Sequence, residues 1–194
     1  MRRRGVFKDF AGRCTLYGVD VSEEFLRDAE ASGYITRLVG AGADALPFGD
    51  GFFDAVIAGE VIEHVVNTDW LMTEINRVMR NDGRLIISIP NVNQWISVLM
   101  MLFFDLPPRY SARFRAPHVR DFTHKTMRMC IQEFGFSIVR RHGTGLFIPG
   151  ARQNVLTGLT GYVPRLATEI VFDCRKERSV VYDASKAVVL ESIY

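Results

Sequence analysis

Apolar, strand-like runs alternate with amphipathic, helix-like runs along nearly the whole chain, and this order constrains the fold more than any other feature. "CTLYGVDV", "YITRLVG", "FFDAVIAG", "RLIISIP", "FSIVRRHG" and "ATEIVFDCRK" read as strands. Between them, "SEEFLRDAEASG", "NTDWLMTEINRVMRNDG" and "FTHKTMRMCIQEFGF" read as helices. Ser22 is the expected N-cap of the first helix, with two glutamates in its opening turn and Gly33 past its end. In the second, Leu71, Ile75, Val78 and Met79 form one face; in the third, Met127, Cys130, Ile131 and Phe134 follow the i, i+3, i+4, i+7 spacing. Buried strands alternating with helices require cover on both faces of a sheet. The expectation is a three-layer, Rossmann-like α/β fold with a mostly parallel sheet.

At 194 residues the chain is long enough to bury one substantial core. A net charge of +2 gives no reason to expect nucleic acid as a partner. Three widely spaced cysteines, Cys14, Cys130 and Cys174, fit neither a disulfide framework nor a metal spacing, so a reducing cytoplasm and no metal are expected. The longest apolar run, "WISVLMMLFFDL", has 12 residues, too few to span a bilayer. It suits a lid over the active site or a peripheral membrane contact, and a lid packed on its own domain is the simpler expectation.

In a parallel α/β sheet, ligands sit beyond the carboxyl ends of the strands. That rule selects Asp20, Asp44, the segment from Glu60 to His64, and Asn91. A carboxylate at the end of the first strand, Asp20, can accept hydrogen bonds from both hydroxyls of a ribose. Asp44, a short acid among small residues, lets the backbone approach a flat ring while its carboxylate takes an exocyclic amine. His64 is a candidate base toward a substrate hydroxyl.

"YGVDVSEEFLRDA", "ADALPFGDGFFDAVIAGEVIEHV" and "EINRVMRNDGRLIISIPN" resemble successive motifs of the class I S-adenosylmethionine-dependent methyltransferases. The resemblance covers residues 5–176, most specifically in the middle third. It implies that Asp20, with Val21 beside it, binds the cofactor ribose, and that Asp44 and Ala45 meet the adenine edge. Gly59 and Glu60 would line the methionine end, and Gly5 falls where the last glycine of the family's glycine-rich loop would lie. The family's first strand and most of that loop have no counterpart ahead of Asp20. Residues 1–176 are therefore expected to be a methyltransferase domain lacking its first strand, a fragment of the active enzyme, with residues 177–194 a tail of open structure.

The implied reaction is methyl transfer from S-adenosylmethionine to a small-molecule acceptor, with oxygen the expected site. "LPPRYSARFRAPHVRDFTHKT" interleaves arginines with aromatics, which suits an anionic or aromatic acceptor. Its "HVRDFT" portion is similar to a subgroup that includes quinone-biosynthesis and sugar O-methyltransferases. Arg115, His118 and Arg120 are the acceptor candidates. Two rivals stand beside this reading: a non-catalytic partner of the same fold, and an NAD-dependent enzyme, since an acid after a strand serves that cofactor too.

Overall fold

The computed structural model describes residues 13–40, 45–104, 118–146, 160 and 163–181. The chain divides into two compact units, residues 1–48 and 49–194. In the first, β1 (Tyr17–Asp20) pairs in parallel with β2 (Ile35–Leu38), and α1 (Glu23–Glu30) makes the crossover. Ser22 occupies the N-cap position, but its side chain makes no capping bond. Instead Asp20 Oδ1 accepts the Ser22 N–H at 2.8 Å, so the acid two residues earlier organises the turn into the helix. The expectation for Ser22 is corrected in that respect. Leu26 is the buried residue of α1, and the Tyr17 and Phe48 rings meet edge to face at 5.7 Å.

The second unit holds a four-stranded sheet in the order β3-β4-β6-β5, formed by β3 (Phe53–Gly59), β4 (Met79–Pro90), β5 (Phe136–Thr144) and β6 (Glu169–Lys176). β3 and β4 are parallel, whereas β6 runs antiparallel to both β4 and β5. Three strands thus share one direction and β6 alone is reversed. Helices α2 (Thr68–Val78), α3 (Trp95–Phe104) and α4 (His124–Glu133) complete the unit.

The core lies against one face of this sheet. Leu85, Ile87 and Ile89 of β4 stand directly opposite Cys174, Phe172 and Ile170 of β6, and all six are fully buried. Directly paired residues share a face, so these side chains form a continuous apolar floor. Met72 and Ile75 from α2, and Met127 and Ile131 from α4, join the same cluster. Residues of the opposite face, Ile86, Ser88, Val171 and Asp173, are half-buried. β3 pairs with β4 alone among the described residues, and Ile57 is 53% exposed, less buried than its apolar sequence suggests.

Local chemistry explains the element ends. The Gly49–Asp50–Gly51 turn before β3 is pinned to α2, because Arg77 donates to Asp50 at 2.7 Å while its carbonyl accepts the Gly51 N–H at 2.9 Å. Gly51 has φ +65°, a conformation glycine adopts without penalty. α2 ends at Val78, not Met79, which is the first strand residue and still wholly buried. The pairing slips between Phe53 and Ala55, so Arg80–Gly83 of β4 bulge, with Asp82 at φ +62°; the turn expected at Asn81–Asp82–Gly83 is instead an irregular stretch inside the strand. Thr123 and Thr126 cap α4 reciprocally, each hydroxyl accepting the other's backbone N–H.

Lys176 and Asn76 tie the far end together. Lys176 Nζ donates to the carbonyls of Asn76 and Met79 at 2.7 and 2.8 Å, satisfying the carboxyl end of α2. Asn76 donates to the carbonyls of Phe134 and Arg178 and accepts the Val180 N–H. The first residues after β6, 177–181, are thereby anchored to the unit; the remainder of the tail lies outside the described residues.

Candidate active site

β3 ends at Gly59, whose register partner is Ser88 of β4. Glu60 follows with φ +53°, an uncommon value for a side chain of this size, and the chain swings off the sheet there. Two bonds to Ser88 hold this bend: the Glu60 N–H to the Ser88 carbonyl at 3.3 Å, and the Ser88 hydroxyl to Glu60 Oε1 at 3.1 Å. A single 3-10 turn, Ile62–His64, comes next. Ile62 is wholly buried and anchors the turn in the core.

The turn carries Glu63 inward and His64 to the surface. Glu63 is only 1% exposed, and neither of its carboxylate oxygens has a hydrogen-bond partner among the described residues. Leaving even a neutral polar group so buried costs about 1–3 kcal/mol, and a charge costs more. His64 Nε2 lies 3.8 Å from Glu63 Oε1. Fifty-odd residues later the chain returns: the Glu63 carbonyl accepts the N–H groups of Val119 and Arg120 at 2.9 and 3.2 Å. That clamp brings His118 onto His64, ring centres 4.8 Å apart and edge to face. His118 Nδ1 is in turn 3.6 Å from Asp121. The acceptor candidates His118 and Arg120 thus converge on the turn that bears the base candidate His64.

A cavity of about 520 Å³ opens where the chain leaves β4. Asn91, Asn93, Thr123, His124, Lys125, Arg128 and Arg141 line it, so three basic side chains border one space. Asn91 is fixed at its mouth, donating to the Ala167 carbonyl and accepting the Asn93 N–H. Arg141 reaches His124 Nε2 at 2.9 Å.

In the first unit, Asp20 stands at the carboxyl end of β1, as the strand pattern predicts. One carboxylate oxygen holds Ser22; the other makes no hydrogen bond among the described residues. Val21 is 61% exposed next to it, and Ala45 is exposed. Gly5, Asp44 and Arg115 lie outside the described residues.

Residues 5–87 match a sequence model described as a methyltransferase domain. A ubiquinone/menaquinone biosynthesis C-methyltransferase of Citrifermentans bemidjiense is 28% identical over 110 residues, 52% of this chain and 46% of that protein. An uncharacterized protein of Methanocaldococcus jannaschii is 38% identical over 72 residues, 37% of this chain and 34% of the relative. The matched region therefore spans less than half the length of these curated relatives. Among solved structures, an S-adenosylmethionine-dependent methyltransferase of Thermotoga maritima superposes with a TM-score of 0.62 at 18% identity, covering 84% of this chain and 73% of that one. Another from Archaeoglobus fulgidus gives 0.60 at 16% identity, covering 89% and 82%. At such identities the superpositions speak for the fold. Residues 5–87 thus match the methyltransferase-domain family, and the chain has the fold of these solved S-adenosylmethionine-dependent methyltransferases.

Sequence reasoning gave no individual role to four residues that the structure brings forward. Lys125, Arg128 and Arg141 meet only because α4 and β5 are neighbours, and nothing local announces that contact. Glu63 could have been found, since an acid beside His64 in a short apolar turn has no room to reach water. Helix α3 buries Ser97, while Leu102, Phe103 and Phe104 at its far end are each about 70% exposed. No described helix is long and apolar enough to cross a membrane.

Proposed function

We propose that this protein moves a methyl group from S-adenosylmethionine to an oxygen of a small anionic or aromatic acceptor. The observation that carries the reading is the ordered run of methyltransferase motifs over residues 5–87, whose strand ends bear Asp20 and the Gly59–Glu60 bend. Asp20 and Val21 would take the ribose, Asp44 and Ala45 the adenine edge, Gly59 and Glu60 the methionine end, and Gly5 the loop around it. Positioning is the main task, because the sulfonium is already an activated donor. A neutral His64 would accept the acceptor's proton, and Arg115, His118 and Arg120 would orient the acceptor. The cationic lining of Lys125, Arg128 and Arg141 supports an acceptor with negative charge.

The test is transfer from methyl-labelled S-adenosylmethionine to a panel of hydroxylated carboxylates, phenols and quinols, using the protein at its natural length. Label in an O-methyl product supports the proposal. Label on carbon or nitrogen overturns the oxygen assignment. No label, together with a stable complex with an active methyltransferase, would make the protein a non-catalytic partner.

A further inference from the structure

We infer that Glu63, His64 and His118 form a binding site for a divalent transition-metal cation. One ligand atom from each lies within 4.8 Å of the other two. Ligands about 2.1 Å from a shared tetrahedral ion stand about 3.4 Å apart, so small side-chain rotations close the set. Two imidazoles and one carboxylate are a borderline nitrogen and oxygen donor set, suited to zinc, cobalt, manganese or iron(II) and leaving positions open.

Three independent features point to a cation. Glu63 is 99% buried with both oxygens unpartnered among the described residues, an arrangement that a bound cation resolves. The two histidines come from distant parts of the chain, yet the two hydrogen bonds from the Val119 and Arg120 N–H groups to the Glu63 carbonyl hold His118 against the turn that bears His64. Asp121, 3.6 Å from His118 Nδ1, stands where a carboxylate orients a ligating imidazole. The spacing of these residues in sequence announces no metal, and the expectation of none is revised on this geometry.

The site changes the meaning of His64. A ring nitrogen that binds a metal cannot also take a proton, so His64 would be a ligand, not the base. On the methyl-transfer reading, and resting on it, the open positions would hold the acceptor oxygen.

Cobalt(II) titration of the purified protein, followed by calorimetry and visible absorption, tests the site without cofactor or acceptor. The expected result is one ion per chain with a nitrogen and oxygen ligand spectrum. Glu63→Gln and His118→Gln should each weaken binding at least tenfold with unchanged circular dichroism. Glu63→Gln keeps the buried volume, and His118→Gln alters a partly exposed side chain, so both are expected to fold. No binding at millimolar cobalt, unchanged affinity in both variants, or a thiolate charge-transfer band that places the ion on a cysteine would overturn the inference. S-adenosylhomocysteine binding, measured on the same samples, separates failure of this site from failure of the methyl-transfer reading.

Discussion

Replacing Asp20 with asparagine separates its two roles. Oδ1 accepts the Ser22 N–H at 2.8 Å, and an asparagine oxygen can do the same. The lost element is the negative charge on the second oxygen, to which the proposed ribose hydroxyl would donate. A hydrogen bond to a charged group is worth about 1.5–3 kcal/mol net, so Asp20→Asn should weaken S-adenosylhomocysteine about 10- to 100-fold. The melting temperature should stay within a degree or so of the parent, because the turn into α1 survives. Asp20→Ala loses both functions. It should show the same loss of affinity and a melting temperature lower by about 2–4 °C, as expected for one bond of about 1 kcal/mol in a chain of this size. Calorimetry gives the affinities and thermal denaturation the stabilities. Wild-type affinity in Asp20→Asn would refute the ribose assignment and leave Asp20 as a turn residue.

Lys176→Met should lower the melting temperature by about 2–10 °C, since it strips the donor from the Asn76 and Met79 carbonyls at the end of α2. Burial lowers the pKa of Lys176 from its ordinary 10.5, with Asp50 pulling weakly the other way. The folded chain then releases this proton before the unfolded chain does, so the lysine's contribution makes stability rise with pH in the alkaline window below 10.5, and Lys176→Met should abolish that component. Burial also pushes the thiols of Cys130 and Cys174 up to about 12, whereas Cys14 is exposed. At pH 8 a thiol reagent should label exposed Cys14 quickly, half-buried Cys130 more slowly and buried Cys174 only after unfolding; three equal rates would contradict this order. Gly143→Ala would put a methyl 2.5 Å from the Thr160 carbonyl oxygen and 2.7 Å from Ala167, so chemical denaturation should show a loss of about 1–3 kcal/mol.

The sequence made the α/β class legible because period and punctuation are local properties. The stripe on α4, the glycine after it and the acid ending β1 could be read without the fold. The reversed direction of β6 could not, since an apolar run looks the same read up or down the sheet. Met79 misled for a related reason: it is buried either as the next helical residue or as the first strand residue, and only backbone conformation distinguishes them. Ser22 was the conventional cap, yet its side chain caps nothing, and the turn is held one step earlier, where Asp20 accepts the Ser22 N–H. The meeting of Glu63 with His118 was hidden for want of any signal linking residues so far apart, since backbone N–H groups of any residues could have made that clamp. Charge grouping failed in the same way: Arg128 and Arg141 look like separate solvated residues until α4 lies beside β5.

Equilibrium binding of methyl-labelled S-adenosylmethionine, with S-adenosylhomocysteine and NAD as competitors, tests the central claim most directly. The account predicts one saturable site per chain, emptied by S-adenosylhomocysteine and untouched by NAD. Displacement by NAD, or no saturable binding by the protein at its natural length, would contradict it.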